Sequence, residues 1–551
     1  MASALGLLFI SCITLSVVYG NSQIDDVKKY PDPSPQTRGS PWPAPKQMTI
    51  SETQLTVDQA TFKFEFSETE VCSILEEAFV RYFKIIFGSY STSLKFSSWK
   101  TLRSNIGSRS RYSGTVSALQ VVSPCIDNIY PSLTSDESYT LEISEKGVAT
   151  LKASEVWGAL RGLETFSQLI YQDGLGTFVL NATSIEDAPR FQHRGLLLDT
   201  SRHFLSLDVL KENLDVMSQN KLNVFHWHIV DDQAFPYESS TFPDMSMKGA
   251  YNAFTHVYTQ ENVKEIIEYA RLRGIRVIPE FDSPGHTMSW GKAIANLLTK
   301  CYSGGKPSGD VGPVNPAFNT TYTFLQNFFQ EISTVFPDHY VHLGGDEVSF
   351  DCWKSNPDIT AFMENMGYGK DYAKLEEYYM EKLLNIVSGL KKAYIIWQEV
   401  IDNGAKVAAD TVIEVWKGGY QKEMSKVTAL GYKTILSSPW YVNYISYGSD
   451  WMNYYSAEPL DFNGTKAQKD LVMGGEACIW GEFVDGTNLL SRLWPRASAV
   501  AERLWSPASF NDTKLATPRI DEHRCRLVRR GYPAEPLNGP SFCGHEYVYH
   551  Q

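Results

Sequence analysis

Two carboxylates stand side by side in "YVHLGGDEVSF", residues 340 to 350. They are Asp346 and Glu347, and they follow an apolar run and two glycines. Adjacent acids in unlike surroundings can take different tasks, one kept ionised and the other kept protonated as a general acid. Gly344 and Gly345 remove side chains just ahead of the pair, which suggests close approach of a ligand. Glycoside hydrolysis normally uses two carboxylates that flank the bond, and sequence neighbours can hardly flank a sugar. Either a partner such as Glu482 or Asp231 is then the nucleophile, or the substrate supplies its own. The second route needs a 2-acetamido sugar, whose carbonyl oxygen attacks the anomeric carbon. Asp346 would then orient the amide, and Glu347 would protonate the leaving oxygen.

Other reactive or polar-binding residues close further apolar runs: Asp199, Asp231, Asp232, Asp282, His286 and Glu482. Trp397, Trp416, Trp480 and Tyr441 have the same placement. Indole rings grouped around carboxylates suit the apolar faces of a pyranose. Arg194, Asp199 and Glu482 could hold its hydroxyls through charge-assisted hydrogen bonds.

These residues need elements that bring them to one place. From about residue 190 there are eight short apolar runs: "GLLLDTS", "NVFHWHIVDD", "RVIPEFDSPGH", "YVHLGGDE", "AYIIWQE", "TVIEVW", "KTILSSPWY" and "MGGEACIWGE". Helical stretches such as "VKEIIEYARLRG" and "YAKLEEYYMEKLLNIVSGLKK" lie between several of them. Eight buried strands alternating with helices predict an α/β fold of the (β/α)8 TIM-barrel type. Its strand ends converge on one face. A doubly wound sheet is the alternative, but it requires neither eight units nor so many polar strand ends. Residues 47–188 mix alternating segments ("TFKFEF", "SYTLEIS") with the helical "SEVWGALRGLETFSQLIYQ", which reads as a smaller α+β domain. Residues 189–551 then form the barrel and a C-terminal tail.

The first twenty residues carry no Asp, Glu, Lys or Arg and read as a secretory signal peptide. Residues 21–46 are polar and Pro-rich, a lead-in outside the core. A formal net charge of −13 argues against nucleic acid and anionic membranes as partners. No later segment has the apolar length of a membrane span. Neighbours along the chain suggest the disulfides Cys72–Cys125, Cys301–Cys352 and Cys525–Cys543, with Cys478 a buried free thiol. No spacing resembles a zinc site. Sequons at Asn181, Asn319, Asn463 and Asn511 predict a glycoprotein of the secretory pathway.

Taken together, "HRGLLLDTSRHF", "HWHIVDDQAFPYES", "EFDSPGHT", "HLGGDEV", "WQEV", "PWY" and "GGEACIWGE" resemble the β-N-acetylhexosaminidases of glycoside hydrolase family 20. The animal lysosomal α and β subunits are the most similar in pattern. The resemblance implies exo-acting, retaining, substrate-assisted removal of terminal GlcNAc or GalNAc from glycoconjugates or chitooligosaccharides, without metal or organic cofactor. It implies Glu347 as general acid/base, Asp346 and Tyr441 on the acetamido group, and Trp397, Trp416 and Trp480 as walls. Arg194 and Glu482 would hold ring hydroxyls, and His286 with Asp231 would tune Glu347. It also implies a homo- or heterodimer and a lysosomal destination, with the extracellular space as the alternative. Asn443 matches subunits that accept acidic substrates, but those carry Arg where this chain has Tyr444. That departure points to neutral substrates. The stretch "YSGGKPSGDVG" at 302–312 also departs from the loop that meets the ganglioside activator, so activator-dependent hydrolysis is not expected.

Overall fold

The computed structural model describes residues 37–67, 72–88, 112–144, 147–173, 176–444 and 446–543. The signal peptide, Cys12 and residues 21–36 lie outside them.

The eight apolar runs become eight parallel strands that close into a barrel. In chain order they are His193–Asp199, Val224–His228, Arg276–Glu280, Tyr340–His342, Ala393–Trp397, Val412–Val415, Lys433–Leu436 and Val472–Ile479. The last strand pairs with the first, Gly474 opposite His193 through Ile479 opposite Leu198, and this closes the ring. Helices cover the barrel. Gln260–Arg271 shows why: Val263, Ile266, Ile267 and Ala270 repeat at helical spacing and are buried, and Thr259 and Asn262 cap its start reciprocally.

Before the barrel lies a mixed sheet of eight strands among the described residues. Its centre is Val148–Ala153, Tyr139–Ile143, Phe178–Asp187 and Gln47–Thr56. Helices Ser73–Phe87 and Val156–Leu169 share its core. Every residue of Val156–Leu169 is buried, and its Arg161 donates to the carbonyls of Arg273 and Gly274 on the barrel side.

The lead-in departs from expectation at its end. Trp42 is fully buried in the barrel core; its indole N–H donates to the Ser498 carbonyl and its backbone N–H to Gln168. The prolines around Trp42 gave the stretch a loop's composition, although the aromatic ring anchors it. The 302–312 segment is also more ordered than a loop. It belongs to the hairpin Leu298–Ser303/Lys306–Val314, which the Cys301–Cys352 disulfide ties to helix Asp351–Ser355. Cys72–Cys125 and Cys525–Cys543 are the other disulfides among the described residues, and Cys478 is free and buried. Asn319, Asn463 and Asn511 are exposed, whereas Asn181 is half-buried in a strand. None of the described helices is long and apolar enough to cross a membrane.

Candidate active site

The C-terminal ends of the barrel strands open into one pocket of about 490 Å³. Asp346 and Glu347, His286 and Asp231, Trp416, Tyr441, Trp480, Asn443 and Glu482 all line it. So do Arg202, His228 and Asp282.

The two adjacent acids differ in depth. The Asp346 side chain is 12% exposed and that of Glu347 61%. Glu347 holds a left-handed backbone (φ 51°), as does His286 (φ 54°). Such conformations cost about 1–3 kcal/mol outside glycine and persist where surrounding structure imposes them. Gly344 and Gly345 have a different purpose from the one their sequence position suggests. A Cβ on Gly344 would lie 1.7 Å from Asp282 Oδ1, and one on Gly345 would lie 2.4 Å from a Val400 methyl. Gly344 therefore admits Asp282 and Gly345 admits Val400, and Asp282 Oδ1 accepts from the Gly345 N–H at 2.8 Å. Burial, together with the Asp346 carboxylate beside it, pushes Asp282 well above the usual carboxylate range.

A support chain runs to Glu347. Asp231 Oδ1 faces His286 Nδ1 at 3.2 Å, and His286 Nε2 stands 3.6 Å from Glu347 Oε2 and 3.7 Å from Asp346 Oδ2. Burial works against the charge on Asp231, but bonding to His228 and His286 outweighs it and holds the acid well below its ordinary range. His286 is likewise buried, yet Asp231 and Glu347 raise it well above an ordinary imidazole. His286 in turn lowers Glu347. With both oxygens committed, Asp231 is unsuited to act as a nucleophile.

The aromatic walls are graded. Trp416 stacks on Tyr441 at 6.0 Å, and Tyr441 lies 6.3 Å from Trp480. Trp397 is 1% exposed and is not a lining residue; its indole N–H donates to Glu280 and its ring backs Trp416 and Trp480. Tyr444 stacks on Tyr441 at 6.1 Å and is exposed at the rim.

Arg194 does not reach the pocket. It is the second residue of the first barrel strand, five residues before Asp199, which places it about 16 Å towards the opposite mouth. Its guanidinium is fully buried and donates to both Glu137 oxygens at 2.7 Å and to the Phe191 and Lys221 carbonyls. The arginine at the pocket is Arg202, three residues past the strand's end. It bridges Asp199 at 3.0 Å and Asp231 at 2.9 Å and lies over the Trp480 ring. Burial opposes its charge, but Asp199, Asp231 and Glu482 outweigh burial and raise it. Asp199 itself is consumed by Arg202 and the N–H groups of Ser201 and Gly481. Strand direction is the signal that separates the two arginines, because only the C-terminal end of a barrel strand faces the pocket.

Histidine and acid side chains converge in four groups among the described residues that resemble metal cages, two of them at His226, Glu280 and His342 and at Asp282, His286 and Asp346. In the first, both nitrogens of His226 face carboxylates at 2.9 Å. In the second, His286 faces Asp231 with one nitrogen and the acid pair with the other. Both read as self-paired ion networks.

A closed (β/α)8 barrel with acids, indoles and an arginine at its C-terminal mouth defines a hydrolase-type sugar pocket. Residues 191–508 match the family model described as glycosyl hydrolase family 20, catalytic domain. Residues 41–169 match one described as beta-acetyl hexosaminidase like. The chain belongs to glycosyl hydrolase family 20. It is 53% identical to the β-hexosaminidase subunit beta of Felis catus over 92% of this chain and 94% of that protein. It is 54% identical to the subunit alpha of Bos taurus over 92% of this chain and 95% of that protein. Among solved structures, the Flavobacterium johnsoniae chitobiase matches with a TM-score of 0.76 at 30% identity, over 89% of this chain and 72% of that one.

Proposed function

We propose that this enzyme removes terminal β-linked GlcNAc or GalNAc by substrate-assisted catalysis, with Asp346 and Glu347 acting on adjacent atoms of one sugar ring. The chain is a glycoside hydrolase of the β-N-acetylhexosaminidase type, and an inactive sugar-binding role is not favoured. The observation that carries the mechanism is the depth difference between the two acids. Asp346 sits low among Trp416, Tyr441 and Trp480, where an acetamido group would lie, whereas Glu347 reaches the mouth, where the leaving oxygen would lie.

The acetamido oxygen attacks the anomeric carbon while Glu347 gives its proton to the glycosidic oxygen, and the aglycone departs as an alcohol. Asp346 holds the amide and balances the positive charge of the oxazolinium-like intermediate. Tyr441 donates to the amide oxygen, and burial keeps that phenol protonated. Glu347, now a carboxylate, takes a proton from the water that reopens the intermediate, with net retention. Arg202 and Glu482 hold ring hydroxyls, and Asn443 contributes at the rim. Asp231 and His286 keep Glu347 in position.

Tyr444 offers no cation beside Tyr441, which supports neutral substrates. The relatives' designation as subunits supports a homo- or heterodimer. Three disulfides among the described residues, with exposed sequons, support passage through the secretory pathway to the lysosome. The mechanism is tested with aryl glycosides whose 2-acetamido group carries successive fluorines. Each fluorine weakens the carbonyl oxygen as a nucleophile, so kcat/KM should fall steeply along the series. A flat series would point to an enzyme nucleophile.

A further inference from the structure

We propose that His228 and Glu280 are positioning residues that set the acidity of Glu347 from beneath the pocket, acting through Asp231 and His286. The inference rests on the assignment of Glu347 as the acid and extends the support chain into the barrel interior.

The contacts are continuous. Glu280, at the end of the third barrel strand, accepts from His228 Nδ1 at 2.7 Å. His228, at the end of the second, meets Asp231 Oδ2 with Nε2 at 2.8 Å. Both imidazole nitrogens therefore face carboxylates, an arrangement that requires the ring to be doubly protonated. Burial disfavours that cation, but Glu280 and Asp231 more than offset burial and push His228 up to about 9. Asp231 is thus one anion shared by three cations: His228, Arg202 and His286. Shared in this way, it grips the His286 proton less firmly than it would grip it alone, and His286 is the group that faces Glu347.

The groups around this chain decide whether its charge can vary. Glu280 also takes His226 at 2.9 Å, approaches His342 at 3.2 Å and accepts from Trp397. These contacts hold Glu280 well below the ordinary range despite its burial. His226 is balanced on its other side by Glu476, and His342 faces Glu414. Asp282, raised by burial and by Asp346, adds no full charge beside His286. The chain from Glu280 to Glu347 therefore alternates anion, cation, anion, cation, anion. Removing one cation alters the grip of every later pair.

The sign follows. A neutral residue at 228 leaves Asp231 to His286 and Arg202. His286 is already a cation, so the net change is the loss of one positive charge beneath Glu347; its carboxylate is less stabilised, and the proton it must donate is kept to higher pH. In the full-length enzyme, the alkaline limb of the kcat profile for an aryl β-GlcNAc should move up by about one unit in His228→Gln. The pH limb is the readout, because His228 also lines the pocket and KM is not expected to stay fixed. Glu280→Gln, isosteric with the native side chain, removes the anion that holds His228 charged and should move the limb in the same direction. It carries the test if His228→Gln does not fold. Folded variants that lose thermal stability while their pH profiles superimpose on the wild type would reduce the chain to a structural role and overturn the inference. A wild-type enzyme that leaves the aryl GlcNAc intact would instead tell against the proposed function.

Discussion

Arg194 and Arg202 are eight residues apart in one motif, and only replacing Arg202 should cost activity in the folded protein. Arg194 is fully buried and holds Glu137 with two 2.7 Å bonds, while Arg161 holds the same carboxylate at 2.7 Å. Burial opposes the charge on Glu137, but Arg194 and Arg161 outweigh it and keep the acid ionised. Removing Arg194 leaves a buried carboxylate short of one partner, at a cost of about 3–5 kcal/mol. It touches nothing in the pocket. Arg202 is the reverse case: partly exposed, bridging Asp199 and Asp231, and lining the site. Losing one or two charge-assisted hydrogen bonds there, each worth about 1.5–3 kcal/mol, should lower kcat/KM about 10- to 10⁴-fold. The assay is paired: thermal unfolding and aryl-GlcNAc kinetics on Arg194→Met and Arg202→Met. Arg194→Met should melt several degrees lower and, in its folded fraction, turn over within about threefold of wild type. Arg202→Met leaves the buried Asp199 and Asp231 short of a partner and should also melt lower, but it should lose activity in its folded fraction. Reversed phenotypes would refute the assignment of the two arginines to opposite ends of the strand.

Further outcomes follow from the same geometry. Glu347→Gln should lose about 10²–10⁴ in kcat on poor leaving groups and far less on a nitrophenyl glycoside; equal losses on both would remove the general-acid role. Stability should fall as pH rises from about 6.5 to about 9, measured by thermal melting. His228 is raised in the fold, so its contribution of about 3 kcal/mol is complete below the unfolded value and is lost as pH passes the folded one. Asp231 and Glu280 are depressed, so their contributions are present above the unfolded carboxylate range and fade as pH drops below it. Cys478 is buried, and burial raises its thiol well above the ordinary range. Iodoacetamide should leave it unmodified in the native protein and label it after denaturation, as read by peptide mass.

All eight barrel strands were legible because each is a continuous apolar run ending in a chemically marked residue, the pattern that burial on both faces imposes. The pocket acids, His286, Asp231, Trp416, Tyr441 and Trp480 were legible for the same reason, since they follow the runs. What escaped depended on direction and on space. Arg194 lies at the start of its strand and Arg202 follows its end, but composition carries no polarity. The space beside Gly344 is filled by Asp282, sixty-two residues earlier in sequence, so no local pattern could show it. Trp397 closes a run like the other tryptophans, yet its bond to Glu280 turns it inward. Trp42 was hidden by neighbouring prolines, although its partners Gln168 and Ser498 make it a core residue.

The most direct test of the central claim is turnover, at mildly acidic pH, of three aryl β-glycosides that differ only at the ring: GlcNAc, GalNAc and glucose. Hydrolysis of the two acetamido sugars, with the glucoside untouched, is the predicted result if Asp346 and Glu347 work together on one amide-bearing ring. Comparable hydrolysis of the glucoside would show that the protein supplies its own nucleophile and would contradict the account.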